Sequence, residues 1–392
     1  MTPAYIYDTQ LLQATLDALR AETAQQPLYN VHYAIKANAN PILLSLIRKA
    51  GLGIDCVSGG EVQAAINAGF NPKSIVFAGV AKSDWEINLA LQHDIYCFNV
   101  ESIPELEVID QLAANMGKTT DICLRINPDV GAHTHANITT GMAENKFGIA
   151  MHDMMDVIRL IGRLQHIRLR GLHFHIGSQI LEMGDFAALA RRINELQDQL
   201  QAQGILLSDI NVGGGLGIDY QQPSLHPIPD FHAYFQTYQQ LLQQRDGQRI
   251  HFELGRAIVA QCGTLLARVL YIKKATQKQF AIVDAGMTEL IRPALYQAHH
   301  HIDNITATGN LRLTDTPTTP TDDRPIETYD VVGPICESSD VFDTDIQLPQ
   351  TRRGDIIAIR SAGAYGETMA SQYNLRPLPP SYTVEEWLNQ QQ

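Results

Sequence analysis

Between residues 29 and 255, short runs rich in Val, Ile, Tyr and Phe alternate with longer stretches whose apolar positions recur at helical spacing. Eight strand-like runs are legible, at 29–36, 51–58, 74–79, 95–100, 121–127, 169–177, 209–215 and 249–255. Between them lie helical patterns at 41–50, 60–68, 103–116, 154–164, 186–203 and 231–244. Pro41 stands at a first-turn position, where its missing N–H costs nothing. Eight strand–helix alternations over about 230 residues fit a closed (β/α)8 TIM barrel better than an open doubly wound sheet. In such a barrel the chemistry sits at the C-terminal ends of the strands, which directs attention to Lys36, His175, Gly213 to Gly215, and Glu253 with Arg256.

After residue 263 the rhythm changes to strand-like runs at 264–273, 280–284 and 355–362, interrupted by a Thr/Pro/Asp-rich stretch at 303–327. The expected class is therefore α/β, a barrel over 13–262 with a second, mainly β domain formed by 263–392. Residues 1–12 join that domain through the strand-like Ala4-Tyr5-Ile6-Tyr7. The length of 392 residues is too great for one ordinary core and agrees with two.

Hydrophobic residues at 45% and charged residues at 18% give a globular profile. No apolar run approaches the roughly 18 residues of a membrane span, and the first residues lack a signal-peptide pattern, so a cytoplasmic protein is expected. A net charge of -13 argues against nucleic acid or an anionic membrane as partner. Five cysteines, at 56, 97, 123, 262 and 336, form no C-x-x-C pair, which indicates neither a disulfide framework nor a zinc site. Four lie in apolar contexts and read as core, whereas Cys336 is flanked by Pro334, Glu337, Ser338 and Ser339.

Several groups carry possible chemistry. A lysine at a strand end is usually solvated, but Lys36 lies among Tyr33, Ala34, Ile35 and Ala37, and desolvation lowers a lysine pKa towards a nucleophilic amine. Gly213-Gly214-Gly215-Leu216-Gly217 reads equally as a tight turn or as a phosphate cradle, the latter favoured by its place after the seventh strand. Glu253-Leu254-Gly255-Arg256 is either a local ion pair or a carboxylate that keeps a ligand's pyridine nitrogen protonated. His173 and His175 share one face of a strand, where a core histidine is the ordinary outcome; His175, nearer the end, can stack on a planar ring with Ser178 beside a phosphate. The run His299-His300-His301 reads as a solvated segment, and His133 and His135 are unpromising as metal ligands. No metal is expected. Cys336, beside acidic groups and without a base, suits a proton donor better than a nucleophile, although a free cysteine is more often a small buried hydrophobe.

Together these segments resemble the fold-type III pyridoxal-phosphate-dependent decarboxylases over nearly the whole chain. The resemblance rests on Thr2-Pro3-Ala4-Tyr5-Ile6-Tyr7-Asp8, Tyr33-Ala34-Ile35-Lys36-Ala37-Asn38, Ser58-Gly59-Gly60-Glu61 and Glu144-Asn145-Lys146-Phe147-Gly148. It continues through His173 to Gln179, the glycine cluster, Ile291-Arg292-Pro293-Ala294-Leu295-Tyr296 and Cys336-Glu337-Ser338-Ser339-Asp340. It implies pyridoxal 5'-phosphate as cofactor, joined to Lys36, with His175 against its ring and Glu253 at its nitrogen. It further implies phosphate contacts from Ser178, Gly213, Gly214, Gly215 and Gly255, with Arg256 and Tyr365 near the cofactor. Arg256, Arg292, Tyr296, Glu337 and Tyr365 match substrate-contacting positions, and Cys336 the proton donor.

In the family, the residues matching Cys336 and Glu337 enter the site from the other subunit of a homodimer. The substrate implied is a small amino acid, meso-2,6-diaminopimelate, decarboxylated to L-lysine. Relatives acting on ornithine, arginine or carboxynorspermidine need no counterpart of Arg292 and Glu337 for a distal amino-acid head. An amino-acid racemase would need a second acid–base residue, and a non-catalytic cofactor carrier would not need Cys336. Leu254 departs from the family, which has proline there.

Overall fold

The computed structural model describes residues 2–131, 146–309 and 324–390. His133, His135 and most of the 303–327 stretch fall outside them. The chain divides into two compact units, one of Leu16–Gly217 and Asp230–Gly255, the other of Met1–Thr15, Ile218–Pro229 and Arg256–Gln392.

In chain order the strands begin with β1 (Ala4–Tyr7), which belongs to the second unit. The first unit contains β2 (Tyr29–Ala34), β3 (Gly53–Cys56), β4 (Ile75–Phe77), β5 (Cys97–Val100), β6 (Thr120–Asn127), β7 (Ile149–Ala150), β8 (Ile167–His173), β9 (Asp209–Asn211) and β10 (Arg249–Leu254). They are ordered β5-β4-β3-β2-β10-β9-β8-β6, and a β5–β6 pairing closes the ring. Every pairing in that ring is parallel. This is the eight-stranded barrel, with the two-residue β7 as an appendage on β6.

Short polar caps turn strands into helices. Asn40 caps Pro41–Lys49, Ser58 caps Gly59–Asn67, and Ser102 caps Ile103–Asn115. Ser83 and Glu86 form a reciprocal box at Asp84–Gln92. Behind β10, Phe252 packs edge-on against Tyr234, Phe235 and Tyr238 with ring centroids 4.9 to 5.9 Å apart. Removing an aromatic ring from such a core costs about 3–5 kcal/mol.

Six of the eight observed strands stop earlier than the apolar runs that predict them, the exceptions being β5 and β6. After β2 the chain makes a single 3-10 turn, Ile35–Ala37, that carries Lys36. After β9 it turns at once into the glycines, with Gly213 at φ +72° and Gly215 at φ +107°. Residues at these ends leave the ladder to face the barrel mouth, so apolar character persists where strand geometry does not.

The second unit is mainly β. Its strands are β11 (Gly263–Lys274), β12 (Gln279–Val283), β13 (Ile302–Asn304), β14 (Ile326–Val332), β15 (Val341–Pro349), β16 (Ile356–Ile359) and β17 (Ser381–Thr383), ordered β13-β16-β11-β12-β14-β15. β1 pairs antiparallel with β11 and parallel with β17. Residues 218–229, within the span expected for the barrel, pack with this unit: Tyr220 bonds to Arg256 and Arg292, and Gln261 Nε2 donates to the His226 carbonyl.

Candidate active site

The ends of the barrel strands bring together Lys36, Asp55, Glu61, His173, His175 and Glu253. Lys36 interacts electrostatically with Asp55, Glu61 and Glu253. Asp55, on β3, is 1% exposed, and its Oδ1 has no hydrogen-bond partner among the described residues. Burial, then the Glu253 charge, push its carboxyl well above the usual range. Nothing in the sequence pattern singled out Asp55; an aspartate inside an apolar strand was the available signal.

Glu253, near the end of β10, is held from three directions. Oε1 accepts from Asn211 Nδ2 at 2.7 Å and Asn99 Nδ2 at 3.1 Å, and Oε2 lies 3.0 Å from His173 Nε2. Burial alone would favour the neutral acid, but His173, Lys36 and His175 outweigh it and hold the carboxyl far below its ordinary value. Asn99, Asn211 and His173 come from three different strands, so this carboxylate is fixed by the barrel itself. His173 thus faces Glu253 as a support, while His175 is half-buried further along. Burial, then Arg125 and Lys36, lower the His175 pKa well below normal and leave a neutral ring.

The glycine turn is packed to a degree no other residue allows. A Cβ on Gly214 would fall 1.7 Å from the Glu253 carbonyl, and one on Gly213 2.1 Å from the Phe174 carbonyl. The Gly213 amide donates to Asn211 Oδ1 at 2.9 Å and the Gly214 amide to His175 Nδ1 at 3.4 Å. Leu254 pairs with Tyr33 in ordinary parallel register, and Gly255 lies against Ala34 and Ala37, so the leucine leaves the strand undisturbed.

The second unit assembles its own cluster. Arg256 and Arg292 are both buried, and each donates from Nη1 to the hydroxyl of Tyr220, at 2.7 and 2.8 Å. The Arg256 guanidinium lies 5.0 Å from the Tyr365 ring centre, and Tyr296 is within electrostatic range of it. The histidine run is not a solvated segment. His300 is 1% exposed, its Nε2 is 2.9 Å from Arg292 Nη1 and its Nδ1 2.8 Å from the Arg360 carbonyl. His299 and His301 are half-buried against Asp343 and Asp303. The arginine outcompeted solvent for this ring, a long-range event that local spacing does not encode.

Cys336 and Glu337 are exposed on the turn between β14 and β15, and Glu337 Oε1 accepts from the Tyr373 hydroxyl at 2.8 Å. Asp340 organises this turn by accepting the amides of Ile335 and Met287, each at 2.6 Å. The four remaining cysteines are buried. Ser178 is half-buried beyond β8. Among the described residues no group of His, Cys, Asp and Glu is placed to hold a metal.

A lysine among carboxyl groups at a barrel mouth, in electrostatic reach of a glutamate held ionised, is the arrangement a vitamin B6 enzyme needs, because the pyridine nitrogen of that cofactor calls for a fixed anion. Residues 13–260 match the family model described as pyridoxal-dependent decarboxylase, pyridoxal binding domain, and the chain belongs to that family. It is 60% identical over 385 residues to the diaminopimelate decarboxylase of Bacteroides thetaiotaomicron, covering 98% of this chain and 96% of the relative. The Helicobacter pylori diaminopimelate decarboxylase is 42% identical over 377 residues, covering 96% of this chain and 88% of the relative. The crystal structure of a Helicobacter pylori diaminopimelate decarboxylase complexed with L-lysine matches with a TM-score of 0.88 at 37% identity, over 100% of this chain and 97% of that one.

Proposed function

We propose that this protein decarboxylates meso-2,6-diaminopimelate to L-lysine and CO2 with pyridoxal 5'-phosphate as cofactor, the closing step of lysine formation. The observation that carries this reading beyond the family is the buried Arg256–Tyr220–Arg292 cluster. It suits a carboxylate that the reaction keeps, which a diamine-forming decarboxylase does not have.

The barrel residues fit the cofactor: a cradle closed to any Cβ, a glutamate held ionised and a lysine beside carboxyl groups. Lys36 would hold its aldehyde carbon, Glu253 its ring nitrogen, His175 its face, and Ser178, Gly213 to Gly215 and Gly255 its phosphate region, with Tyr365 nearby. When bound, pyridoxal phosphate supplies an electron sink for the pair left behind as CO2 departs. Asn99, Asn211 and His173 keep Glu253 ionised and aimed, so no reorganisation is needed as charge develops. Arg256, Arg292 and Tyr296 bind the distal carboxylate and Glu337 the distal ammonium, which fixes the carbon that loses its carboxyl. Cys336 Sγ then gives its proton to that carbon.

Cys336 and Glu337 serve the site of a second copy of this chain, making the active enzyme a homodimer. Their exposure supports this, as do Tyr373, Leu375 and Leu378 in the same unit at 48%, 96% and 55% exposed. Work in the cytoplasm accords with five cysteines that form no disulfide.

Incubating the purified holoenzyme with meso-diaminopimelate should release CO2 and L-lysine in equal amounts. Release from ornithine and none from meso-diaminopimelate would reject the assignment. Borohydride reduction should fix the cofactor on the peptide that contains Lys36.

A further inference from the structure

Tyr220 lies just after the glycine cluster, and its hydroxyl is the atom that Arg256 and Arg292 share. Its position is unusual. Arg292 is 5% exposed, and its partners among the described residues are two neutral atoms, Tyr220 Oη at 2.8 Å and His300 Nε2 at 2.9 Å. Neutral acceptors satisfy the N–H groups of a buried cation without cancelling its charge, which remains to be answered by a ligand. Tyr220 Oη also accepts from Arg256 Nη1 at 2.7 Å.

A phenol oxygen has room for two incoming donors and one outgoing hydrogen. Both incoming places are taken by guanidinium groups, so the Tyr220 hydrogen can only be donated, and among the described residues nothing accepts it. Two cations drawing on one oxygen make that O–H a stronger donor. The ring is held in place: it meets His300 edge-on at 5.0 Å and 73°, and the Arg292 guanidinium lies 4.8 Å from its centre.

We propose that Tyr220 is a specificity-determining residue that couples Arg256 to Arg292 and donates its hydroxyl hydrogen to the carboxylate of the substrate's distal amino-acid head. This rests on the functional reading given above and adds to it a named donor. A substrate lacking that carboxylate leaves the Arg292 charge and a polarised O–H unanswered in a buried site, so the cluster rejects diamine precursors more strongly than lost attraction alone would.

The test is Tyr220→Phe in the holoenzyme, which keeps the ring and removes the hydroxyl. The KM for meso-diaminopimelate and the inhibition constant of L-lysine should each rise about tenfold or more, with kcat within about threefold and the cofactor absorbance unchanged. An unchanged KM, or a loss confined to kcat, overturns the proposal. A crystal structure of the wild-type holoenzyme with L-lysine tests the same contact without a variant. Tyr220 Oη hydrogen-bonded to a lysine carboxylate oxygen supports it, and a carboxylate bound out of reach overturns it. A wild-type enzyme inert towards meso-diaminopimelate overturns the functional reading and the proposal together, whereas an active wild type with an unaltered variant overturns the proposal alone.

Discussion

His173 Nε2 stands 3.0 Å from Glu253 Oε2, joining the end of β8 to the end of β10 inside the barrel. Because Asn99 and Asn211 occupy the other carboxylate oxygen, His173 decides how the free side of Oε2 is aimed. His173→Ala should weaken cofactor binding about tenfold and lower kcat, as loss of a charge-assisted hydrogen bond implies. Glu253→Gln, which removes the anion, should lower kcat by about a hundredfold or more. Equilibrium dialysis of the cofactor and steady-state rates measure both, and a His173→Ala enzyme with wild-type affinity and rate would refute the role given to this bond.

Gly214→Ala places a methyl group 1.7 Å from the Glu253 carbonyl, so the turn must move. We expect a lower Tm and weakened cofactor binding together. Gly184→Ala is the control: its Cβ meets nothing within 4 Å, and in the Met183–Gln201 helix alanine should be neutral or stabilising by about 0.5–1 kcal/mol. Equal behaviour of the two variants in thermal melts would show that the close approach is unimportant.

Acid should destabilise the protein before its carboxylates titrate. Burial, then the Arg292 charge, lower the His300 pKa to about 3, and burial, then His251, lower that of His32 to about 3. Both folded values lie below the unfolded 6.5. The unfolded chain therefore takes up these protons first, and stability falls as pH drops from about 6.5 towards 3, by up to about 1.4 kcal/mol per pH unit for each ring. Urea unfolding at pH 7, 6 and 5 should show this slope, and His300→Gln should flatten it. An identical slope in the variant would exclude His300 as a source.

The proposed sharing of the site between two copies of the chain is tested by a mixing experiment. Lys36→Ala and Cys336→Ala homodimers should each be nearly inactive, while Cys336→Ala still binds cofactor. Refolded together in equal amounts, they should regain about a quarter of wild-type activity, because half the dimers would carry one intact site. No recovery, with mixed dimers demonstrated, would place Lys36 and Cys336 in the same chain's site.

The barrel was legible because parallel strands buried on both faces read as apolar runs, and helices between them show their own period. Lys36, His175 and Glu253 could be located from strand ends alone. Asp55, Asn99, Arg125 and Tyr220 could not. Arg125 is buried with its Nη1 3.0 Å from Glu101 Oε1, a pairing between β6 and the residue that follows β5 that neither local sequence announces. His300 was misread as solvated for the same reason, since its burial depends on Arg292 and Arg360, and the latter is 60 residues away.

The place of β1 has a consequence for how the molecule is made. Tyr5 gives its hydroxyl to the Glu289 carbonyl, 284 residues further on, and its strand is flanked by β11 and β17. β1 emerges before both of its partners during synthesis and must therefore wait, unpaired, for them. The eight barrel strands, from residue 29 to 254, need nothing beyond residue 255 for their own pairings. Assembly should then begin with the barrel, with the β unit sealed last by a strand made before it.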